Sequence, residues 1–277
     1  MPNVDVKHMN IKIVLPVAIV VALVIGVVIG HFLPIPGGAG STSVLGKTAV
    51  SEAELDSPIG SYTVDGKTEN ITARQVLDSS TGVDGAKQKD GTYTLPSMDK
   101  TFAYARNQVI LKGAEAAGFS AYAKKNLQTD DYEAIGKQYG FSADATKELL
   151  RQAVVIQKYR ESVITTKLPA TPTMPTAPSD GNQDTATADY AKYIIDLAGD
   201  EWSADKNTWA STDGPYYKAL NGYSISNDSA TYEAALEAYK VAGSNYQQVA
   251  AQATAEWRNA ANKLLEKSSV SIYSLAL

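Results

Sequence analysis

The sequence predicts a mainly α protein: a single N-terminal transmembrane helix, then a helical outer domain with a small β element made of a hairpin and a C-terminal strand. Three observations predict it. An apolar run from Ile13 to Leu33 is 21 residues long with one polar member, His31. Beyond it, apolar residues recur at helical spacing over long stretches bounded by caps and stop glycines. Strand and turn signals gather near Tyr62 and again at the C-terminus.

The apolar run matches the ~20 residues a helix needs to cross the hydrocarbon core. Pro16, Gly26 and Gly30 are tolerated there. A cleaved signal peptide is the rival, but its apolar part would be ~7–15 residues and would end at a small-residue site that "LPIPGGAGSTS" imitates poorly. Lys7 and Lys12 precede the run and no basic residue follows until Lys47. Residues 1–10 are therefore expected in the cytoplasm, 11–33 in the bilayer and the rest outside a cell membrane. Residues 1–33 hold Asp5, Lys7 and Lys12, so the remainder has 23 basic and 29 acidic residues, a net −6. That balance gives no electrostatic footprint for nucleic acid. The chain has no cysteine, which excludes disulfides and thiolate catalysis and suits a bacterial surface.

Residues 34–48, rich in Gly, Pro, Ser and Thr, read as a spacer. "SEAE" from Ser51 is a capping box that Pro58 and Gly60 cut short. "SYTVDGKTENIT" predicts a hairpin turning at Asp65-Gly66, followed by a helix over Thr72–Asp78 and a loop over 81–92. Ser97 caps a helix over 98–117, with Gly118 as its stop. "DDYEAIGKQYG" is a shorter helix ended by Gly140, with Asp130-Asp131 as N-terminal charges. Ser142 caps a long helix that is expected to reach Thr166. Residues 167–186 form a Pro/Thr-rich linker, and helix resumes near Thr187 in an aromatic-rich segment over 187–245. Tyr246, Val249, Ala253, Trp257, Ala260 and Leu264 mark one face of a last helix. "SVSIYSLAL" then alternates like a strand, with the hairpin near Tyr62 as its natural partner. The helical domain is bounded at 49–166, and the returning helix and strand at 246–277.

The hairpin with "VDGK", "YARNQVILKGAEAAGF", "DDYEAIGKQYGFS" and "ATKELLRQAVVIQKYRESV" together resemble the N-terminal domain of SurA/PrsA-type extracytoplasmic chaperones, distantly related to trigger factor. "AEWRNAANKLLEKSSVSIYS" resembles the helix and strand that return in that family to complete the fold. The likeness covers about Val50–Ile164 and Tyr246–Ser274. In many relatives a parvulin prolyl isomerase is inserted at the seam. Here no histidine follows His31, and 167–240 lacks that pattern. The resemblance therefore implies client holding without isomerisation, and assigns no role to 187–240.

Without an outer histidine or cysteine, Ser-His-Asp and Cys-His catalysis and the usual zinc sites are closed off, and no cofactor or metal is expected. A carboxylate pair fits some spacing among 29 acidic residues in any case and carries no signal. The candidate binding residues are Trp202, Trp209, Tyr216 and Tyr223, each seven apart. A continuous helix would align them, but Asp213-Gly214-Pro215 breaks it. They form either a wall for unfolded peptides or cell-wall glycan, or the packing of a small subdomain. Trp257 reads as core. The expected protein is a membrane-anchored chaperone-like binder of unfolded or newly exported polypeptides, non-enzymatic, using an apolar groove. The rival is a structural or adhesive envelope protein with a dedicated partner.

Overall fold

The structure, a computed structural model, describes residues 47–126 and 131–273. The expected span over 11–33, its cytoplasmic tail, all but the end of the spacer, and Asp130 lie outside the described residues. Among the described residues no helix is long and apolar enough to cross a membrane. The fold is mainly α with small sheets, and it divides into two compact units. The first takes the chain through Val163 together with Trp257 onward; the second is Ile164–Glu256.

The first unit opens with β1 (Ala49–Val50), then a 3-10 turn over Glu52–Glu54 that carries the Ser51/Glu54 capping box. Pro58 ends that turn region and starts β2 (Pro58–Val64), which pairs antiparallel with β3 (Lys67–Thr72). Asp65 and Gly66 both take positive φ, +49° and +76°, as the tight turn requires. Thr72 then caps α1 (Ala73–Asp78) with a reciprocal Gln75 box. The expected loop over 81–92 instead contains a single-turn α2 (Val83–Ala86) before β4 (Tyr93–Thr94), which pairs with β1. Ser97 caps α3 (Met98–Ala116), and Gly118 sits at φ +92° just past its end.

α4 (Ser120–Asn126) has no counterpart among the helices predicted from the sequence. Asp131 caps α5 (Tyr132–Tyr139), which Gly140 ends in the left-handed conformation. The long helix α6 (Ala143–Val163) stops three residues short of the expected Thr166. The amides of Thr165 and Thr166 donate to the Glu256 carboxylate at 2.6 and 3.1 Å, so they are not free to extend the helical ladder.

The C-terminal strand β9 (Ser268–Ile272) closes the first unit. It pairs antiparallel with β2 in the order β3-β2-β9, placing Val270 opposite Tyr62. β2 is thus the central strand, and Ile59 to Tyr62 are all buried. Ile59, Tyr62, Ile71, Val76, Val109 and Val270 join one core, with Leu264, Leu265 and Ile272 packed against it. A second apolar cluster of Leu111, Ala114, Ala123 and Val155 adjoins Phe119, Ile156 and Tyr159.

The second unit holds β5 (Ala186–Thr187), α7 (Ala188–Ala198), the hairpin of β6 (Trp202–Ser203) and β7 (Thr208–Trp209), α8 (Pro215–Leu220) and β8 (Ala230–Thr231). α9 (Tyr232–Leu265) follows, so the expected break at 245/246 falls inside one helix. Its residues to Glu256 belong to this unit. A row of alanines, Ala234, Ala235 and Ala238, is fully buried against Ile194 and Leu220. Their small side chains let α9 approach the rest of this core closely.

Candidate functional site

A cleft of about 490 Å³ lies in the first unit, walled by β2, β3, α1, α3 and α6. α3 supplies Tyr104, Gln108, Lys112 and Glu115, which step by 4, 4 and 3 and so share one helical face. α6 supplies Asp144, Glu148, Arg151 and Gln152; Tyr62, Glu69 and Asp78 come from the sheet and the end of α1. The wall is charged, unlike the apolar groove that was expected, because α3 turns its polar face here and gives its apolar face to the core.

Most of these groups satisfy one another. The Tyr62 hydroxyl donates to Glu69, which also pairs with Lys112 at 2.9 Å. Burial, reinforced by the neighbouring carboxylate, pushes the Tyr62 phenol far up, while the Tyr62 and Lys112 bonds hold Glu69 below the usual carboxylate range. Arg151 donates twice to Glu148, both at 2.8 Å, and once to Glu115 at 2.9 Å. These bonds hold its guanidinium firmly charged, Glu148 contributing most. Gln152 donates to Glu148 at 2.8 Å and accepts from Gln108 at 3.4 Å.

Two half-buried groups are left over. Asp78 is half-buried and makes no hydrogen bond or ion pair among the described residues; burial raises its pKa against the pull of Arg74. Tyr104 is also half-buried without a hydrogen-bond partner there, and burial lifts its phenol to about 12. With five carboxylates against Lys112 and Arg151, the cleft is negative. It offers acceptors to a cation or a hydrogen-bond donor. Among the described residues no group of three or more His, Asp or Glu is placed to hold a metal ion.

The four aromatic residues singled out in the sequence lie in the second unit. Trp202 and Trp209 face each other across the β6–β7 hairpin, edge to face with ring centres 5.1 Å apart. A seven-residue spacing here spans a β turn. Trp202 is buried, and its indole N–H donates to Asn227 at 2.9 Å. Tyr216 is buried on α8, whose start is set by Gly214 and Pro215 at the expected break. Trp209 and Tyr223 are half-buried, and Trp209 also meets Tyr217 edge on at 5.9 Å. Trp202 and Tyr216 therefore spend most of their surface on the core of this unit, and Trp209 and Tyr223 keep part of theirs for solvent. Trp257, read as core, is half-buried in the first unit, edge on to Tyr159 with the Arg160 guanidinium over its ring at 6.0 Å.

Compared with models of known families, with curated proteins and with solved structures, the chain matches none. The charged cleft was not anticipated from the sequence. Its one local signature is the polar step of Tyr104, Gln108, Lys112 and Glu115, opposite the apolar stripe of the same helix.

Proposed function

We propose that this chain is a non-catalytic, membrane-tethered polypeptide-binding protein of the cell envelope, built on the plan of the SurA/PrsA-type chaperones without their isomerase. The observation that carries the reading is the assembly of the first unit from two distant stretches. β9 returns from beyond the second unit to pair with β2, the closure that the family plan calls for. The cleft of this unit is the client site in our reading. Its unpartnered Asp78 and Tyr104 receive lysine or arginine side chains of an extended polypeptide, and the ion-paired wall keeps the shape fixed. Tethering near the membrane raises the local concentration of binder around newly exported chains.

The rival reading, an adhesive surface on the aromatic segment, draws on Trp209 and Tyr223, since Trp202 and Tyr216 are committed to packing. It calls for loss of binding to purified wall material when Trp209 is changed to Ala.

The test of the main reading is fluorescence anisotropy of a labelled, unstructured basic peptide with residues 34–277. We expect saturable binding that weakens with salt and falls about five- to tenfold in Asp78→Asn. Equal binding of an acidic peptide, or no change in Asp78→Asn, would contradict the cleft as the site.

A further inference from the structure

The linker that precedes α7 contains a regularity that composition alone conceals. Its prolines are Pro169, Pro172, Pro175 and Pro178, one at every third position. A polyproline II strand has three residues per turn, so that spacing puts all four rings on one edge. From Pro172 on, burial follows the same period: Pro175 is buried and Pro172 and Pro178 are half-buried, while Pro169, Thr171, Thr173, Met174, Thr176 and Ala177 are exposed. Among the described residues no backbone-to-backbone hydrogen bond involves 167–177, as such a strand requires.

The strand is held by α7. The Tyr190 hydroxyl donates to the Thr176 carbonyl at 2.8 Å, and the Tyr193 hydroxyl donates to the Thr173 carbonyl at 2.7 Å. Thr173 and Thr176 are one polyproline turn apart, and the two bonds bracket the buried Pro175. Tyr190 is steadied from behind by the Tyr232 ring, with centres 5.4 Å apart. Aromatic side chains that receive proline rings while their polar ends bond the strand's carbonyls are the chemistry by which proteins read proline-rich peptides.

We propose that the Tyr190–Tyr193 face of α7 is a recognition surface for proline-rich segments with prolines at every third residue, and that the chain's own 169–178 segment occupies it as a tethered ligand. Exchange brings in a segment of the same spacing from another polypeptide. The bonds to the strand go to main-chain carbonyls and the buried residue between them is a proline, whereas the threonines and Met174 are exposed, so the face reads proline spacing and backbone. A tether this short holds the internal copy at about millimolar effective concentration, so an outside peptide competes only when abundant or when the strap is loosened.

Two measurements test this on the full-length chain in lipid nanodiscs. In the first, residues 168–179 are replaced by an equally long Gly/Ser stretch, and a synthetic peptide of the native 168–179 sequence is titrated in by calorimetry. Saturable binding is expected, weakened about tenfold or more by Tyr190→Phe with Tyr193→Phe, and equally by a peptide of the same composition whose prolines are off the three-residue period. The second uses the native chain, whatever the fate of the replaced one. Trypsin cleavage after Lys167, followed by mass spectrometry, is expected to speed up several-fold as the peptide rises through the millimolar range, and to be indifferent to the off-period peptide. Absence of binding to the folded Gly/Ser chain, binding indifferent to the two hydroxyls or to proline period, or a cleavage rate that ignores the peptide would each overturn the proposal.

Discussion

Single residues in this chain are constrained by what lies within a few ångströms of them, and two glycines make the point. A Cβ on Gly82 would stand 1.9 Å from the Gly140 carbonyl oxygen, and Gly82 has φ +74°. Backbone cannot yield as a side chain can, so Gly82→Ala is expected to cost about 3 kcal/mol or more. The nearest atoms a Cβ on Gly113 would meet belong to the Leu264 side chain, whose end lies at 2.6 Å. Leu264 can re-rotamer, so Gly113→Ala should cost only about 1 kcal/mol. Chemical denaturation of both variants checks the ranking, and equal costs would refute it. Glu256 is constrained by hydrogen bonds. Its carboxylate accepts from the backbone and hydroxyl of both Thr165 and Thr166, led by the Thr166 hydroxyl, and its pKa falls from 4.5 to about 2. Because folding lowers the pKa, the ionised group stabilises the fold above pH 4.5 and loses that contribution as pH falls toward about 2. Glu256→Gln should therefore melt below the native chain at pH 7, with the gap closing as melting is followed down through pH 4 and 3. A gap independent of pH would contradict the assignment. None of these contacts was legible in the sequence. Gly140 was, because an αL stop has a local signature; the partner of Gly82 lies 58 positions away.

At the scale of elements, the sequence was most informative where a local rule decides the outcome. The Asp65-Gly66 turn, the Ser97 cap, the Gly140 stop and the break at Asp213-Gly214-Pro215 all depend on neighbours along the chain. Where a tertiary contact decides, local pattern is not enough. α6 ends early because Glu256, some 90 residues on, captures the next amides. The β6–β7 hairpin went unseen because its strands are two residues long and its turn, with Asn207 at φ +50°, lies in a polar stretch with no alternating pattern. That hairpin matters to the second unit through Trp202. Trp202→Phe removes the bond to Asn227 and should cost about 1 kcal/mol, whereas Trp202→Ala empties the core position and should cost about 3–5 kcal/mol. Thermal melts of the two variants distinguish a packing role, which predicts this order, from a surface role, which predicts two near-neutral changes.

For the whole molecule, the decisive feature is that the first unit is not continuous in sequence. β2 is buried on both faces and needs β9 on its free side; Tyr273 adds a backbone bond to Ile59 at 2.8 Å and a hydroxyl bond to Ser61 at 2.7 Å. Ending the chain at Lys267 should leave β2 as an open edge, abolish the cooperative unfolding of the first unit and promote aggregation, while the core around Ile194 and Leu220 stays folded. Hydrogen exchange resolved by peptide would separate the two outcomes, and full protection of β2 in the shortened chain would contradict this. The alternation of "SVSIYS" together with a hairpin lacking a third strand made this closure legible. The cleft was not, because Tyr62, Asp78, Tyr104 and Glu148 converge from four separate elements and none has a spacing rule that points to the others.

Light scattering from an unfolding client protein in the presence of residues 34–277 separates a holding function from its absence. Suppression of aggregation near equimolar ratio is expected, and it is reduced in Asp78→Asn. A well-folded chain that leaves client aggregation unchanged at severalfold excess would contradict a holding function.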